Sequence, residues 1–143
     1  MKKSGVIIIT IVLFLAVGGL IIAWSVYQAP DKDLGGVRSF TDENFRTEVV
    51  ETSKTKPVLV DFYATWCVPC YMLEPILEEV AKDLRGKAVI GRVDTDRNMI
   101  SRRFGVQRLP TIFIIRNGEV KDAISGVPTK KTLIQMLRKF GAS

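Results

Sequence analysis

The two cysteines of this 143-residue chain, Cys67 and Cys70, are separated by Val68 and Pro69, and Trp66 stands just before them. Two thiols at this spacing have three chemical uses: holding a metal, closing a structural staple, or cycling between dithiol and disulfide. A structural zinc site takes four ligands, usually Cys or His. The chain has two Cys and no His, so only a site shared between two molecules would complete the set. A staple is the serious alternative in an oxidising compartment. However, the loop it closes holds only two residues, and disulfide stabilisation grows with loop length.

Redox chemistry asks for an activated thiol, and the pattern around the pair supplies one. Residues 58–63 are almost continuously apolar and read as a strand, whereas the segment after Cys67 is helical. At a helix start, free N–H groups and the positive end of the dipole stabilise a thiolate. Cys67 is therefore expected to be the exposed, attacking sulfur. Cys70, one turn on and turned inward, is expected to resolve the mixed disulfide. Pro69 suits the first turn of a helix, where its missing N–H has no intrahelical partner. Asp61 stands six residues before Cys67 among Val58, Leu59, Val60 and Phe62. Such neighbours argue for a buried carboxyl rather than a solvated one, and burial raises its pKa so that it exchanges a proton with a nearby thiol. Trp66 is placed to shield the sulfurs and meet substrate, or else to serve as a core aromatic. Tyr71 is assigned no role.

The remaining elements must hold these groups in place. A short edge strand is expected over residues 37–40. A helix follows, capped by Thr41 and running to about Ser53, with Asp42 and Glu43 at its positive end and Phe45, Val49 and Val50 facing inward. The run from Val58 suits a central strand covered on both faces. The helix after Cys67 places Met72, Leu73, Ile76, Leu77 and Val80 on its apolar side. It contains Pro75, which should kink it, and it stops at Gly86. A strand over 89–93 leads to a short helix ending near Phe104. Strands over 111–115 and 120–124 flank Asn117-Gly118, a hairpin signal. A final amphipathic helix over 129–140 carries Leu133, Met136, Leu137 and Phe140 on one face. The order β-α-β-α-β-α-β-β-α implies an α/β domain with a central mixed β-sheet flanked by helices.

Ahead of this domain, the segment from Gly5 to Trp24 carries no charge and is rich in Ile, Val and Leu. It is long enough for a membrane span, which takes about 20 apolar residues. Residues 1–27 read as an N-terminal membrane anchor or signal segment. Ala23-Trp24-Ser25 offers small residues for cleavage before Val26 as the alternative to an uncleaved transmembrane helix. Lys2 and Lys3 keep the N-terminus in the cytoplasm, so the rest of the chain is exported. Residues 28–36 mix Pro, Gly and charge and read as a linker, leaving 37–143 as one domain. Outside the first 30 residues, 19 Lys and Arg stand against 15 Asp and Glu, a mild net charge of +4. Arg97, Arg102, Arg103 and Arg108 form a loose basic cluster without aromatic residues to stack bases, which gives nucleic-acid binding no support.

The segment Trp66-Cys67-Val68-Pro69-Cys70 resembles the active site of the thioredoxin family, and the resemblance runs from about Val37 to Phe140. Asp61 matches the family's buried acid and Pro75 its helix proline. Leu109-Pro110-Thr111 matches the loop whose proline is cis and faces the disulfide. Asn117-Gly118 matches its hairpin turn, and Gly126 the glycine bordering its substrate groove. Val68 replaces the most usual Gly, and Arg92 stands where the family often has a Lys near the acid. The resemblance implies a thioredoxin fold with Cys67, Cys70 and Asp61 catalytic and with Trp66, Val68, Pro69, Leu109, Pro110 and Gly126 contacting substrate. It implies no metal and no organic cofactor beyond the Cys67–Cys70 disulfide. With the exported location, it implies a thiol–disulfide oxidoreductase that reduces disulfides of exported proteins. Such a protein would be a monomer, recharged by a membrane thiol-electron donor and tethered on the periplasmic side or cell exterior, or secreted if the segment is cleaved. A disulfide-forming oxidase of the same fold and a non-catalytic membrane-tethered binding module are the alternatives.

Overall fold

The computed structural model describes residues 36–143. The anchor expected over 1–27 and all but the last residue of the linker expected over 28–36 lie outside the described residues. Among those described, no helix is long and apolar enough to cross a membrane.

Five strands form one sheet: β1 (Arg38–Phe40), β2 (Val58–Tyr63), β3 (Val89–Asp94), β4 (Thr111–Arg116) and β5 (Glu119–Ser125). Their spatial order is β1-β3-β2-β4-β5. The first three run parallel, while β4 is antiparallel to β2 and β5 to β4. Parallel neighbours need long crossovers, and α1 (Arg46–Glu51) and α2 (Val68–Asp83) lie in them, whereas α3 (Ile100–Arg103) links β3 to β4 and α4 (Lys130–Lys139) follows β5. The run from Val58 thus occupies the middle of the sheet, as its composition implied.

Alternation along β2 divides the core in two. Val58, Val60 and Phe62 pack with Phe45, Val49, Val93 and Ile100 on the α1/α3 side. Leu59 packs with Ile90, Ile112 and Ile114, and with Leu73 and Leu77 of α2 and Leu133 and Leu137 of α4, on the other. Asp61 shares the parity of Leu59, so its side chain points to the face that α2 covers. Met72, expected on the apolar side of α2, is exposed instead. At about 100° per residue it falls off the stripe formed by Leu73, Leu77 and Val80.

The helix expected over 41–53 is not a regular α-helix. Its core, α1, has π pitch and passes into a 3-10 turn, Thr52–Lys54. The Thr41 hydroxyl accepts from the Asn44 N–H at 3.3 Å, as a cap does. Asp42, however, serves a different helix: its carboxylate accepts from the Met99 N–H at 2.8 Å and the Ile100 N–H at 3.0 Å, where α3 begins. A capping side chain takes whichever orphan donors the fold brings to it. The hairpin turn is as expected, with Asn117 and Gly118 both left-handed, at φ 56 and 76.

Gly91 shows how closely the sheet edge is packed. It pairs with Arg38 of β1 and Val60 of β2, and a Cβ built there would overlap the ring of Phe40, which is almost fully buried. Gly91→Ala should therefore destabilise the domain by about 1–3 kcal/mol, the usual cost of overpacking. The check is a lower urea midpoint at unchanged slope. Wild-type stability in this variant would mean that the Phe40 ring can leave its site freely.

Candidate active site

Cys67 and Cys70 form a disulfide, with sulfurs 2.07 Å and Cα atoms 5.4 Å apart. The strand-to-helix transition places them there. Cys67 is the N-cap of α2 in extended conformation, and Pro69 lies in the first turn. The Cys67 N–H donates to the Ala64 carbonyl at 3.1 Å, and the Cys70 N–H donates to the Cys67 carbonyl at 3.1 Å. The first turn carries no acidic side chain, so the positive end of this 16-residue helix acts on the sulfurs without a competing carboxylate. The expectation of an exposed Cys67 needs correction: the residue is 4% exposed against 1% for Cys70. In the disulfide state the pair is bonded to itself and covered by Tyr63 and Leu109, which pack against it.

A second segment comes to the disulfide from the start of β4. The Leu109–Pro110 bond is cis, as the resemblance implied, and Leu109 lies against the cysteines. Two hydrogen bonds fasten this loop to the end of β5. The Gly126 N–H donates to the Pro110 carbonyl at 2.9 Å, and the hydroxyls of Thr111 and Ser125 are 3.0 Å apart. Gly126 has φ 92, a conformation that side chains resist. Around the disulfide, Trp66 and Val68 are 69% and 71% exposed, and Tyr71 and Met72 are exposed as well. Tyr71 is not idle: its hydroxyl donates to the Thr65 carbonyl at 2.6 Å, tying α2 to the turn that carries Trp66.

Asp61 is fully buried, in register with Arg92 of β3 and Ile112 of β4. Arg92 Nε donates to Asp61 Oδ2 at 2.9 Å, while Asp61 Oδ1 has no hydrogen-bond partner. Burial pushes the Asp61 carboxyl up to about 6, against the opposing pull of the Arg92 charge. Arg92 also reaches Glu74 of α2, with Nη1 3.3 Å from Oε1, and its guanidinium stacks 3.9 Å from the centre of the Tyr63 ring. No hydrogen bond joins Asp61 to either sulfur of the disulfide. The structure thus brings Cys67, Cys70 and Leu109 together, and links Pro110 to Gly126. It keeps Asp61 in a charged cluster of its own beneath α2. Sequence reading had Asp61 and Arg92 but missed Glu74 and Tyr63. Their signal was a charge and an aromatic ring at positions that project onto the same face. Among the described residues, no group of three or more His, Cys, Asp or Glu is placed to hold a metal.

Comparisons with known proteins agree with this geometry. The thioredoxin family model matches residues 36–139. The thioredoxin of Rickettsia felis is 42% identical over 100 residues, covering 69% of this chain and 93% of that protein. The thioredoxin of Chlorobaculum thiosulfatiphilum is 41% identical over 98 residues, covering 68% and 89%. The crystal structure of Malassezia sympodialis thioredoxin (Mala s 13) superposes with a TM-score of 0.67 at 27% identity, covering 76% of this chain and 93% of that one.

The buried carboxyl has a measurable cost. In the folded chain Asp61 holds its proton up to about pH 6, and in the unfolded chain only up to about pH 3.9. Between those values the folded state binds more protons, so stability falls as pH rises. Asp61→Asn cannot ionise and escapes this loss. Its stability relative to wild type should grow by about 2 kcal/mol from pH 4 to pH 7, read from urea unfolding of the oxidised proteins. A difference that stays constant with pH would show that Asp61 ionises as readily folded as unfolded.

Proposed function

This chain belongs to the thioredoxin family and is a thiol–disulfide oxidoreductase, and from that premise we propose that it reduces disulfides of exported proteins while tethered to a membrane. The Cys67 thiolate attacks a substrate disulfide, forming a mixed disulfide and releasing one substrate thiol. Cys70 then attacks Cys67, which regenerates the Cys67–Cys70 disulfide and releases the second substrate sulfur. Asp61 takes the proton that Cys70 gives up. The chemistry needs no group beyond the disulfide itself.

The observation that carries this reading is the disulfide at the positive end of α2 with Leu109 packed against it. An extended substrate strand laid over Trp66, Val68 and Pro69 would meet the backbone of Leu109 and Pro110, with Gly126 at its border. Export rests on Lys2 and Lys3 ahead of the uncharged run from Gly5 to Trp24. A domain outside the cytoplasm takes its electrons from a membrane thiol donor. A monomer suffices for this chemistry, because both cysteines and Asp61 lie in one chain.

The test uses the full chain in a disulfide-reduction assay with insulin as substrate and dithiothreitol as reductant. Cys67→Ser should lose at least 100-fold in rate, and Cys70→Ser should accumulate a mixed disulfide with the substrate. A reduction potential near about −270 mV fits a reductant, whereas one near about −120 mV would reverse the direction to disulfide formation. In intact cells, a membrane-impermeant maleimide should label Cys67 after reduction. Labelling only after lysis would place the domain in the cytoplasm and end the proposal of export.

A further inference from the structure

Arg92 is shared between two carboxylates. Its Nε holds Asp61 Oδ2 at 2.9 Å and its Nη1 holds Glu74 Oε1 at 3.3 Å, while the Tyr63 ring lies under its plane. A guanidinium is a rigid fork that normally engages one carboxylate through two parallel bonds. Here the fork is split, and Asp61 Oδ1 is left buried without a partner. The side chain of Arg92 is 12% exposed and that of Glu74 51%. A cavity of about 200 Å³ bounded by Tyr63, Glu74, Glu78 and Arg92 reaches the outer side of the pair.

We propose that Glu74 is a positioning residue for proton exchange at Asp61: by holding one arm of Arg92, it keeps that arginine from closing on Asp61 as a dedicated partner. The inference rests on the reading that Asp61 accepts the Cys70 proton. In that step the Cys70 thiol passes its proton to the Asp61 carboxylate as its sulfur attacks Cys67. The Cys67–Cys70 bond forms, the bond between Cys67 and the substrate breaks, and the substrate leaves as a thiolate. The substrate sulfur is reduced and the cysteine pair oxidised. An Asp61 bound through both oxygens would be a poor proton acceptor, because each hydrogen bond to the charged form favours that form.

The electrostatic surroundings support the direction of the effect. Burial raises the proton affinity of Asp61, Arg92 lowers it, and Glu74 raises it again. The other groups nearby are engaged or apolar. Arg38 of β1 is paired with Glu48 at 2.7 Å, Lys130 of α4 is bound to Glu79 and Asp83 of α2, and β4 presents Ile112 opposite Asp61. Glu78 lines the cavity from α2 and adds a charge of the same sign as Glu74. Releasing Arg92 from Glu74 therefore has one sign: Asp61 loses proton affinity.

The experiment titrates the Asp61 carboxyl by NMR in the full, oxidised chain labelled with carboxyl-13C aspartate, where the cysteines do not ionise. The resonance is assigned by its loss in Asp61→Asn. In Glu74→Gln the Asp61 midpoint should fall by about half to one pH unit, the size expected of one partly exposed charge pair. In Arg92→Gln it should rise. The pH dependence of mixed-disulfide resolution, followed by stopped flow in the reduced proteins, should move in step with each midpoint. A Glu74→Gln midpoint that stays within 0.2 unit of wild type, or rises, overturns the role of Glu74 (an order set by one pKa unit being a tenfold change). Wild-type resolution rates in Asp61→Asn would instead overturn proton exchange by Asp61, whatever the titrations of Glu74→Gln report.

Discussion

Asp61 sits fully buried in the central strand, with one oxygen on Arg92 and the other without a partner. Taking a carboxylate out of water without full hydrogen bonding is among the most costly placements a side chain can have. The surrounding architecture is what makes it tolerable. β2 lies between two strands, and α2 covers the face toward which Asp61 points. The parallel register with β3 sets Arg92 directly beside Asp61. Any change in that register would strand both charges, so the pair helps to define how the two strands align.

The same helix that buries Asp61 also holds the cysteine pair at its positive end. α2 starts at the disulfide and passes over the charged cluster, with Glu74 on the second turn reaching down to Arg92. One element therefore carries both sulfurs and the carboxylate that splits the arginine fork. Pro75 follows Glu74 directly within this helix, and the backbone N–H that proline lacks leaves a helix carbonyl without its usual donor. The loop containing Leu109 and Pro110 closes the site from the opposite side of the sheet's central strands. It is held by a hydrogen bond from Gly126 and a hydroxyl pair rather than by burial of large side chains. The exposed Trp66, Val68, Tyr71 and Met72 around it form an apolar rim on an otherwise charged surface.

A buried carboxyl at this point works against stability. A hydrophobic residue at position 61 would pack with Leu59, Ile112 and the α2 side chains at no electrostatic cost. The large apolar core on both faces of the sheet offsets that cost. Asp42, capping α3 from across the fold, and Ser53, which accepts from the hairpin turn through both its carbonyl and its hydroxyl, show the same use of long-range polar contacts to secure short elements.

Element type and order were legible in the sequence, because apolar periodicity, Pro, Gly and Asn-Gly act locally: the central strand at Val58, the helix after Cys67 and the hairpin at Asn117 are each specified by neighbours within a few residues. The redox pair was legible for the same reason, since two intervening residues and a helix start suffice to bring two sulfurs together. What needed the folded chain was everything that joins residues distant in sequence. Asp42 reads as a cap for the helix it precedes, yet it serves α3, more than fifty positions later. Cys67 reads as exposed at a helix start, yet Leu109 and Tyr63 cover it. Glu74 has no partner marked by its sequence neighbours, and only the crossing of α2 over β3 puts it on Arg92. Local sequence sets backbone conformation through sterics and hydrogen bonding over a few residues. Partners for buried charges are set by the register and crossing of elements, which no short stretch of chain contains.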